Sequence, residues 1–416
     1  MARFLYTLLL IALLPWALLH LLWRSRLQGE YLRHWGERFG QYGKKPVGSV
    51  IWIHAVSVGE TRAAETLITA LAERWPDHRV LMTHMTPTGR QTGIELYGDR
   101  VDRVYLAYDY PFSVARFLDH WQPDFGLIME TELWPNLITA CRSRNIPLLL
   151  VNARLSEKSA SRYAMFPALT RVALHGLTGI AAQADADATR LRALGAQDVE
   201  VLGNLKFDLE PPTIQLALGE MFRKAIGDRP VFLCASTREG EEALILAAWQ
   251  RATPPAGTLL VIVPRHPQRC DQVTALIRAA GFRVQRRSAG LPEMDTEVWL
   301  GDSLGELFAY YAACDVACVG GSLLKFGCQN LIEACAVGKP VLIGPSTYNF
   351  ARAAADAINA GACAQVSDAA QLTQQACILL GDEAKRMQMG SAGLAFALQH
   401  RGATARTLAW IAQKTA

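Results

Sequence analysis

Glu60 occupies a position typical of a catalytic acid or base. It follows a predicted buried strand, Val50 to His54, and the turn residues Ser57 and Gly59, and it precedes a predicted helix from Thr61 to Arg74. Ligands of open α/β sheets bind at this carboxyl edge, beside helix N-termini. The helix dipole lowers the pKa of such a carboxyl and burial raises it, and a general base needs that balance near neutral pH. The alternative is a carboxylate that only caps its own helix.

The first half of the chain repeats this pattern at later strand ends. The polar residues that follow its predicted strands are Glu60, Glu130, Glu132, Arg154 and Lys206. One such residue is common, but five at the same edge of a parallel sheet indicate a cleft. Arg154 is suited to binding an anion or to pairing with a glutamate. An ion pair between Glu130 and Arg154 would give Glu130 a structural role instead.

The stretch Val319 to Phe350 has the pattern of a nucleotide-binding unit. An apolar strand ends in Gly320-Gly321-Ser322, and Gly327 precedes a predicted helix from Asn330 to Val337. A strand that ends in glycines leaves backbone N–H groups exposed, and a helix N-terminus favours a phosphate. Glu333 lies in the first turn, within reach of a ribose hydroxyl pair. The alternative is an ordinary βαβ unit in which Glu333 helps its own helix begin.

Two further turns of the second half resemble binding loops. The predicted strand Thr258 to Val263 ends in Pro264 and Arg265, and Arg265 is placed to meet a phosphate or a base edge. The strand at Trp299 and Leu300 is followed by a turn that contains Gly305-Glu306-Leu307. The sequence has no G-x-G-x-x-G and no G-x-x-x-x-G-K followed by Ser or Thr, so a dinucleotide dehydrogenase and a P-loop enzyme are disfavoured.

Composition narrows the class of protein. The 416 residues suffice for two domains, and 51% apolar with 19% charged residues indicates a globular chain. The net charge of +4 is too small to indicate a nucleic-acid partner. The nine cysteines include no C-x-x-C pair and no histidine at zinc-ligand spacing, so reduced, buried thiols are expected. Asp185 and Asp187 fall in a predicted helix, where we expect a solvated face, and we predict neither a metal nor a cofactor.

The first residues indicate a membrane anchor. The apolar run from Phe4 to Trp23 has the roughly 20 residues that a span requires. The basic residues that follow it are Arg24, Arg26, Arg33, Arg38, Lys44 and Lys45, a bias that places the rest of the chain in the cytoplasm. A helix lying in the membrane interface is the alternative. The interleaved aromatic residues, which are Tyr31, Trp35, Phe39 and Tyr42, suit anionic head groups or the core of the first domain.

These features predict an α/β protein of the GT-B glycosyltransferase class, in which two Rossmann-like domains face a cleft behind an N-terminal membrane anchor helix. A boundary between Asp208 and Pro212 gives the anchor at 1–26, an N-terminal domain at 27–208 and a C-terminal domain at 209–416. Several motifs, in order, also resemble those of a known family. They are the anchor with Trp35-Gly36-Glu37-Arg38, His54-x-Val56-Ser57-Val58-Gly59-Glu60, Thr86-Pro87-Thr88-Gly89, Met129-Glu130-Thr131-Glu132-Leu133-Trp134-Pro135-Asn136, Asn152-Ala153-Arg154-Leu155-Ser156, Leu205-Lys206-Phe207-Asp208, Val263-Pro264-Arg265-His266-Pro267, Gly320-Gly321-Ser322 and Asn330-x-x-Glu333.

Over nearly the whole chain these motifs resemble the 3-deoxy-D-manno-octulosonic acid (Kdo) transferases of lipid A assembly. The resemblance implies inverting, metal-independent transfer of Kdo from CMP-Kdo to the lipid A precursor lipid IVA, at the cytoplasmic face of the inner membrane. It implies that the N-terminal domain binds the acceptor and the C-terminal domain binds the CMP-sugar. Other possibilities are a GT-B enzyme that uses another nucleotide sugar on a lipid-linked acceptor, and a membrane-attached binding protein with a dead active site.

The resemblance also implies roles for single residues. Glu60 is the general base, and Glu130 and Lys206 stabilise the transition state. The residues implied to bind substrate are Pro264, Arg265, Gly305, Glu306, Leu307, Gly320, Gly321, Ser322, Asn330, Leu331, Ile332 and Glu333. The chain departs from the family at 327–333, where Gly-Cys-Gln-Asn-Leu-Ile-Glu replaces Gly-Gly-His-Asn-Pro-Leu-Glu. Cys328 there adds a side chain where the backbone is expected to approach the ligand.

Overall fold

The computed structural model describes residues 1–27, 29–208 and 210–416, which fold into two compact α/β units. Unit 1 comprises Met1–Asp208 and Arg401–Ala416, and unit 2 comprises Leu209–His400. The predicted C-terminal domain, 209–416, therefore differs from unit 2 at its end, because residues 401–416 pack with unit 1. The side chain of Tyr31, one of the predicted surface aromatics, lies outside the described residues.

Unit 1 is built on a seven-stranded parallel sheet with the strand order β3-β2-β1-β4-β5-β6-β7. Its strands are β1 (Val50–His54), β2 (Arg79–His84), β3 (Asp102–Tyr105), β4 (Phe125–Met129), β5 (Leu148–Ala153), β6 (Gly179–Ala182) and β7 (Val199–Val201). The helices before unit 2 are α1 (Ala2–Leu27), α2 (Val58–Ala63), α3 (Glu65–Arg74), α4 (Pro87–Tyr97), α5 (Pro111–Trp121), α6 (Pro135–Ser143), α7 (Glu157–Ala164), α8 (Pro167–Gly176) and α9 (Asp185–Ala193).

The central strands of unit 1 are buried throughout. Every residue of β1, β4 and β5 is buried, as expected for parallel strands covered by helices on both faces. β1 and β4 pair directly, with His54 opposite Ile128, although they are not consecutive in sequence. The direction of winding therefore reverses between them. The residues that follow β1 and β4 lie at this topological switch point, where open α/β sheets bind their ligands.

Unit 2 repeats the architecture with the strand order β10-β11-β9-β8-β12-β13-β14. Its strands, all in parallel pairs, are β8 (Val231–Thr237), β9 (Leu259–Pro264), β10 (Val284–Arg286), β11 (Val298–Leu300), β12 (Val316–Val319), β13 (Val341–Ile343) and β14 (Cys363–Gln365). Its helices are α10 (Thr213–Ile226), α11 (Glu241–Trp249), α12 (Cys270–Ala279), α13 (Leu307–Ala313), α14 (Ile332–Ala336), α15 (Ala351–Asn359), α16 (Ala369–Gly381) and α17 (Glu383–Gln399). The switch point of this sheet lies between β8 and β12.

The structure adds three strands that the sequence pattern did not predict. β3, β10 and β14 each form an outer edge of a sheet, and each has only three or four residues. Edge strands of this kind are short and partly polar, so they lack the apolar run that marks a buried strand. The predicted helix 61–74 is divided into α2 and α3, and the predicted helix 330–337 is shortened to α14.

The last helix, α18 (Ala403–Thr415), completes unit 1. The Asp208 carboxylate accepts hydrogen bonds from the backbone N–H groups of Gly402 and Thr404, and so caps the start of this helix. Further along, the Trp410 indole N–H donates to the Glu200 carboxylate at 2.8 Å. The Trp410 ring fills the space beside Gly179, where an added Cβ would lie 2.7 Å from it. These contacts explain why residues 401–416 belong to unit 1.

Candidate active site

Glu60 lies directly beyond β1, in the first turn of α2. Ser57 is the N-cap of this helix, and its hydroxyl donates to one Glu60 carboxylate oxygen at 2.9 Å. The backbone N–H of Val56 donates to the other oxygen at 2.6 Å. The residue is 9% exposed. Glu60 therefore makes the capping contacts of the structural alternative while it stays buried at the switch point.

Burial has the largest effect on the ionisation of Glu60. It raises the pKa of the carboxyl, the Glu130 charge raises it further, and the Val56 and Ser57 hydrogen bonds lower it, with a result of about 7. A carboxyl with this pKa exists in both protonation states at neutral pH. Such a group can take a proton from a substrate hydroxyl and release it again, which is the property of a general base.

Glu130, directly beyond β4, forms an ion pair with Lys206. The Lys206 ammonium lies 3.2 Å from the Glu130 carboxylate. Glu130 has a φ of 58°, in the left-handed region that side chains other than glycine adopt at a cost. Arg154 is the residue expected to pair with Glu130 if Glu130 has a structural role. Its backbone carbonyl instead accepts a hydrogen bond from the Thr131 hydroxyl. The cation that the structure places beside Glu130 is thus the one predicted to act with it.

The position of Lys206 is fixed by the neighbouring strand β5. Lys206 lies in a short 3-10 helix, Leu205–Phe207, whose N-cap is Asn204. The side-chain oxygen of Asn152, the fifth residue of β5, accepts the backbone N–H of Leu205 at 3.1 Å. The ion pair therefore joins the end of β4 to the segment after β7, and Asn152 holds that segment beside the end of β5.

Glu132 is a third acidic group at this edge. The sequence places it beyond β4 but assigns it no role. Burial, and then the Glu130 charge, raise the pKa of its carboxyl to about 7. Its effect extends to Glu60, whose pKa the Glu132 charge also raises. The sequence pattern already indicated this position, since Glu132 comes two residues after Glu130 and shortly before Pro135, which opens α6.

A pocket opens at the carboxyl edge of the sheet in unit 2. It is lined by Ser236, Val263, Pro264, Arg265, Pro267, Gly301, Asp302, Ser303, Leu304, Gly305 and Leu307. Four of the predicted substrate residues are among them, namely Pro264, Arg265, Gly305 and Leu307. The fifth residue of this group, Glu306, binds the Arg287 guanidinium at 3.0 and 3.2 Å and accepts the Ser303 hydroxyl. Glu306 thus holds the pocket wall in place.

The glycine loop beyond β12 differs from the prediction. The N–H of Gly321 donates to the Glu241 carboxylate at 2.6 Å, and the N–H of Leu323 donates to its other oxygen at 2.9 Å. The N–H of Gly320 donates to the Ala235 carbonyl. The prediction of exposed N–H groups at Gly320 and Gly321 is therefore wrong, because the Ala235 carbonyl and the fully buried Glu241 carboxylate accept them.

Close packing explains the first glycine of this loop. An added Cβ at Gly320 would lie 2.5 Å from the Ser236 carbonyl oxygen. Ser322 is buried, and its hydroxyl donates to the Val319 carbonyl and accepts the N–H of Gly344 at 2.9 Å. These two residues support the loop from within, so their predicted contact with substrate stays a prediction.

The segment before α14 has a local structure of its own. The Asn330 side-chain oxygen accepts the N–H of Ile332 at 3.1 Å, and its amide donates to Glu333 at 3.2 Å. Leu331 and Ile332 are fully buried, backbone included, so their predicted contact with substrate stays a prediction. The side chain of Cys328 also lies in the core, with 1% exposed, although its φ of 67° is a backbone conformation that favours glycine.

The acidic and sulfur-containing residues elsewhere have structural positions. Asp187, which was expected on a solvated face, is buried and accepts the N–H of Leu155 at 2.9 Å. All nine cysteines are free thiols, and eight are buried, as predicted. Within residues 1–27, 29–208 and 210–416, no group of three or more His, Cys, Asp or Glu side chains is arranged to hold a metal ion.

Known proteins are similar to this chain in sequence and in fold. Residues 33–209 match the family described as 3-Deoxy-D-manno-octulosonic-acid transferase (kdotransferase). The 3-deoxy-D-manno-octulosonic acid transferase of Bordetella pertussis is 45% identical over 98% of each chain, and that of Haemophilus influenzae is 37% identical over 98% of this chain and 97% of its own. The crystal structure of a glycosyltransferase from Rickettsia africae has a TM-score of 0.56 at 14% identity, covering 90% of this chain and 98% of its own.

The two parallel sheets and this structural neighbour show that the chain has the GT-B fold. The identity of 45% over almost the full length of both chains shows the family to which this chain belongs. The chain belongs to the 3-deoxy-D-manno-octulosonic acid transferases, and it is an enzyme of sugar transfer.

The role of Glu241 in the glycine loop can be tested by Glu241→Gln. One amide N–H would then face a backbone N–H of Gly321, Leu323 or Arg238, and a buried hydrogen bond would be lost. We expect the free energy of unfolding, measured by urea denaturation, to fall by about 1–3 kcal/mol. Glu239→Gln, on the same turn but half exposed, is the matched control and should change it by less than about 0.5 kcal/mol. Equal stability of the two variants would contradict the role of Glu241.

Proposed function

We propose that this chain transfers Kdo from CMP-Kdo to the lipid A precursor lipid IVA by an inverting displacement that needs no metal ion. Membership of the Kdo transferase family supports the sugar that is transferred. The observation that carries the chemistry is the buried Glu60 carboxyl at the switch point of unit 1, with a pKa of about 7 beside the Glu130–Lys206 pair.

In the proposed mechanism, Glu60 takes the proton from an acceptor hydroxyl. The hydroxyl oxygen attacks the anomeric carbon of Kdo as the bond from that carbon to the CMP phosphate oxygen breaks, so the configuration at the carbon is inverted. CMP leaves with added negative charge on its phosphate. Because that charge requires a cation or N–H donors, Lys206 is proposed to stabilise it, with Glu130 holding the ammonium in place at 3.2 Å.

The nucleotide is proposed to bind in the pocket of unit 2. The pocket is lined by Pro264, Arg265, Gly305 and Leu307, which combine one cation with backbone surfaces suited to a phosphate and a base. Asn330 and Glu333 are proposed to contact the sugar part of the donor. The N–H groups of Gly320 and Gly321 already have partners, so the proposal gives the glycine loop a supporting role in the pocket.

The membrane is the proposed place of the reaction. Among the described residues, α1 is the one helix long and apolar enough to cross a membrane, with a mean hydropathy of 2.1 over an 18-residue stretch within residues 2–26. It is proposed to anchor the enzyme to the inner membrane, where the acyl chains of the acceptor stay in the bilayer. The basic residues at the end of α1 and after it support the proposal that both units lie on the cytoplasmic side.

The experiment that tests this function supplies purified enzyme with CMP-Kdo and lipid IVA in detergent and identifies the lipid product by mass spectrometry. We expect a product heavier by one or more Kdo residues, with the same yield in the presence of EDTA. Transfer from another nucleotide sugar, with none from CMP-Kdo, would favour the alternative GT-B enzyme. A requirement for magnesium or manganese would refute the metal-free displacement, and turnover of no sugar nucleotide would favour a binding protein.

Glu60→Gln removes the proposed base while it keeps the size and most hydrogen bonds of the side chain. The rate of Kdo transfer should fall by about 10²–10⁴-fold, since that is the usual contribution of general-base catalysis. CMP binding, measured by calorimetry, should be unchanged because the nucleotide pocket lies in unit 2. Glu65→Gln, an exposed residue at the start of α3, is the control and should retain full activity. An unchanged rate in Glu60→Gln would exclude Glu60 as the base.

The pH dependence of transfer should report the ionisation of Glu60. The base acts in its deprotonated form, so the rate should rise with pH through about 7 and level off above it. Glu130→Gln removes a negative charge that raises the pKa of Glu60, and it leaves Lys206 without that partner. The rising limb should therefore move to lower pH even where the maximal rate falls. Glu157→Gln, exposed on α7, should leave the limb in place, and a limb that also stays in place in Glu130→Gln would contradict this coupling.

A further inference from the structure

Helix α1 contacts unit 1 along most of its length. Leu21 is buried, and half-buried residues precede it at helical spacing, namely Tyr6, Thr7, Leu10, Leu14, Ala17 and Leu18. Residues spaced by three and four positions share one face of a helix. From Tyr6 to Leu21 this face is about 22 Å long, since an α-helix rises about 1.5 Å per residue. Helix α1 packs against α6 and α8 of unit 1. The helix therefore lies beside the domain and does not project away from it.

A polar clasp fixes the N-terminal part of this face. The Tyr6 hydroxyl donates to the Asp109 carboxylate at 3.0 Å, and the Thr7 hydroxyl donates to the Asn136 side-chain oxygen at 3.1 Å. The Tyr110 hydroxyl donates to the carbonyl of Leu10 at 3.0 Å. Asp109 also accepts the backbone N–H groups of Asn136 and Leu137, which are the first turn of α6. Helix α1 is thus bonded to groups that belong to the interior of unit 1.

These contacts are incompatible with a helix that crosses the bilayer. If Arg24 and the residues after it were at the cytoplasmic surface, Tyr6 would be about 27 Å deeper, near the opposite surface. Asp109 and Asn136, which are only 3% and 5% exposed within a polar α/β domain, would have to enter the hydrocarbon with it. Polar backbone that is not helical or in a closed barrel is not tolerated there when it faces lipid.

We propose that α1 lies in the plane of the membrane interface, docked on unit 1, and that the enzyme attaches to one leaflet only. The inference deepens the proposed membrane anchoring and rests on it. It places Met1 on the same side of the membrane as Ala416.

The outward face of α1 has the chemistry of a surface that contacts one leaflet. Its exposed large apolar residues are Phe4, Leu5, Leu8, Leu9, Ile11, Leu13, Trp16, Leu19, Leu22 and Trp23. Met165 and Phe166, which precede α8, are further exposed apolar residues of unit 1. So large an exposed apolar surface indicates an apolar partner. The exposed cations Arg3, Arg24 and Arg26 at its ends, with tryptophans near one end, favour an anionic lipid surface over a second copy of the chain.

The first test measures the side on which each end of α1 is exposed. Ala2→Cys and Ala416→Cys are made separately in the full chain and treated with a membrane-impermeant maleimide in right-side-out and inverted inner-membrane vesicles. The parent chain gives the background of its nine thiols, eight of them buried. We expect both introduced thiols to react in inverted vesicles and neither in right-side-out vesicles. Reaction at position 2 only in right-side-out vesicles would overturn the proposal. A soluble dimer in which the α1 helices of two copies cover each other's apolar faces would also overturn it.

The second test examines the clasp and decides the case in which a thiol at position 2 is shielded on both sides. Tyr6→Phe removes one hydroxyl and makes α1 more apolar, so a helix that crosses the bilayer would tolerate it. A docked helix loses its bond to the buried Asp109, and we expect the thermal midpoint in detergent to fall by about 2–4 °C. Phe4→Leu, on the exposed face, is the control and should leave it unchanged. An unchanged or higher midpoint in Tyr6→Phe would overturn the docking.

Neither readout depends on catalysis. A chain that transfers no Kdo from CMP-Kdo can still be labelled on one side, and an active chain can still be labelled on both. The failure of the proposed function and the failure of the proposed docking are therefore distinguishable.

Discussion

The site of unit 1 depends on keeping the Glu60 carboxyl buried at the end of β1. Burial raises its pKa, while the Val56 N–H and the Ser57 hydroxyl limit the rise and hold the carboxyl in one orientation. The Ser57 hydroxyl also caps α2 by accepting the backbone N–H of Glu60, so the residue proposed to accept the proton lies in the capped first turn of the helix. The proposed function and the local structure therefore both need Glu60 in this position. A role at the start of the helix does not argue against a role in catalysis.

Buried or partly buried carboxylates organise the loops of this protein more generally. Asp109 holds the first turn of α6, Asp187 holds Leu155, Asp208 holds the start of α18 and Glu241 holds the glycine loop of unit 2. Each accepts backbone N–H groups that helix starts and loops leave without partners. A negatively charged acceptor makes these bonds stronger than a neutral one would. The scaffold around both switch points is thus built from the same interaction.

Helix α1 is also held by one of these carboxylates. Asp109 receives the Tyr6 hydroxyl and two N–H groups of α6, the helix that follows the loop bearing Glu130 and Glu132. A helix docked in this way is a part of unit 1 that also has an apolar outer face. A one-sided attachment would keep unit 1, with the carboxylates of its proposed acceptor site, at the leaflet that holds the acyl chains of a lipid acceptor.

The sequence by itself determined the α/β class, the buried strands such as β1 and β4, and the carboxylates at their ends. These features depend on local patterns of apolar and turn-forming residues, which can be read directly from the sequence. Its motifs also indicated the family. Only the tertiary structure decided which groups are partners: Glu241 takes the N–H of Gly321, 80 positions away, and Lys206 rather than Arg154 pairs with Glu130. The tertiary structure also shows that residues 401–416 belong to unit 1, where the Asp208 carboxylate accepts the N–H of Gly402. Such long-range partners depend on how elements pack, and local periodicity does not encode that.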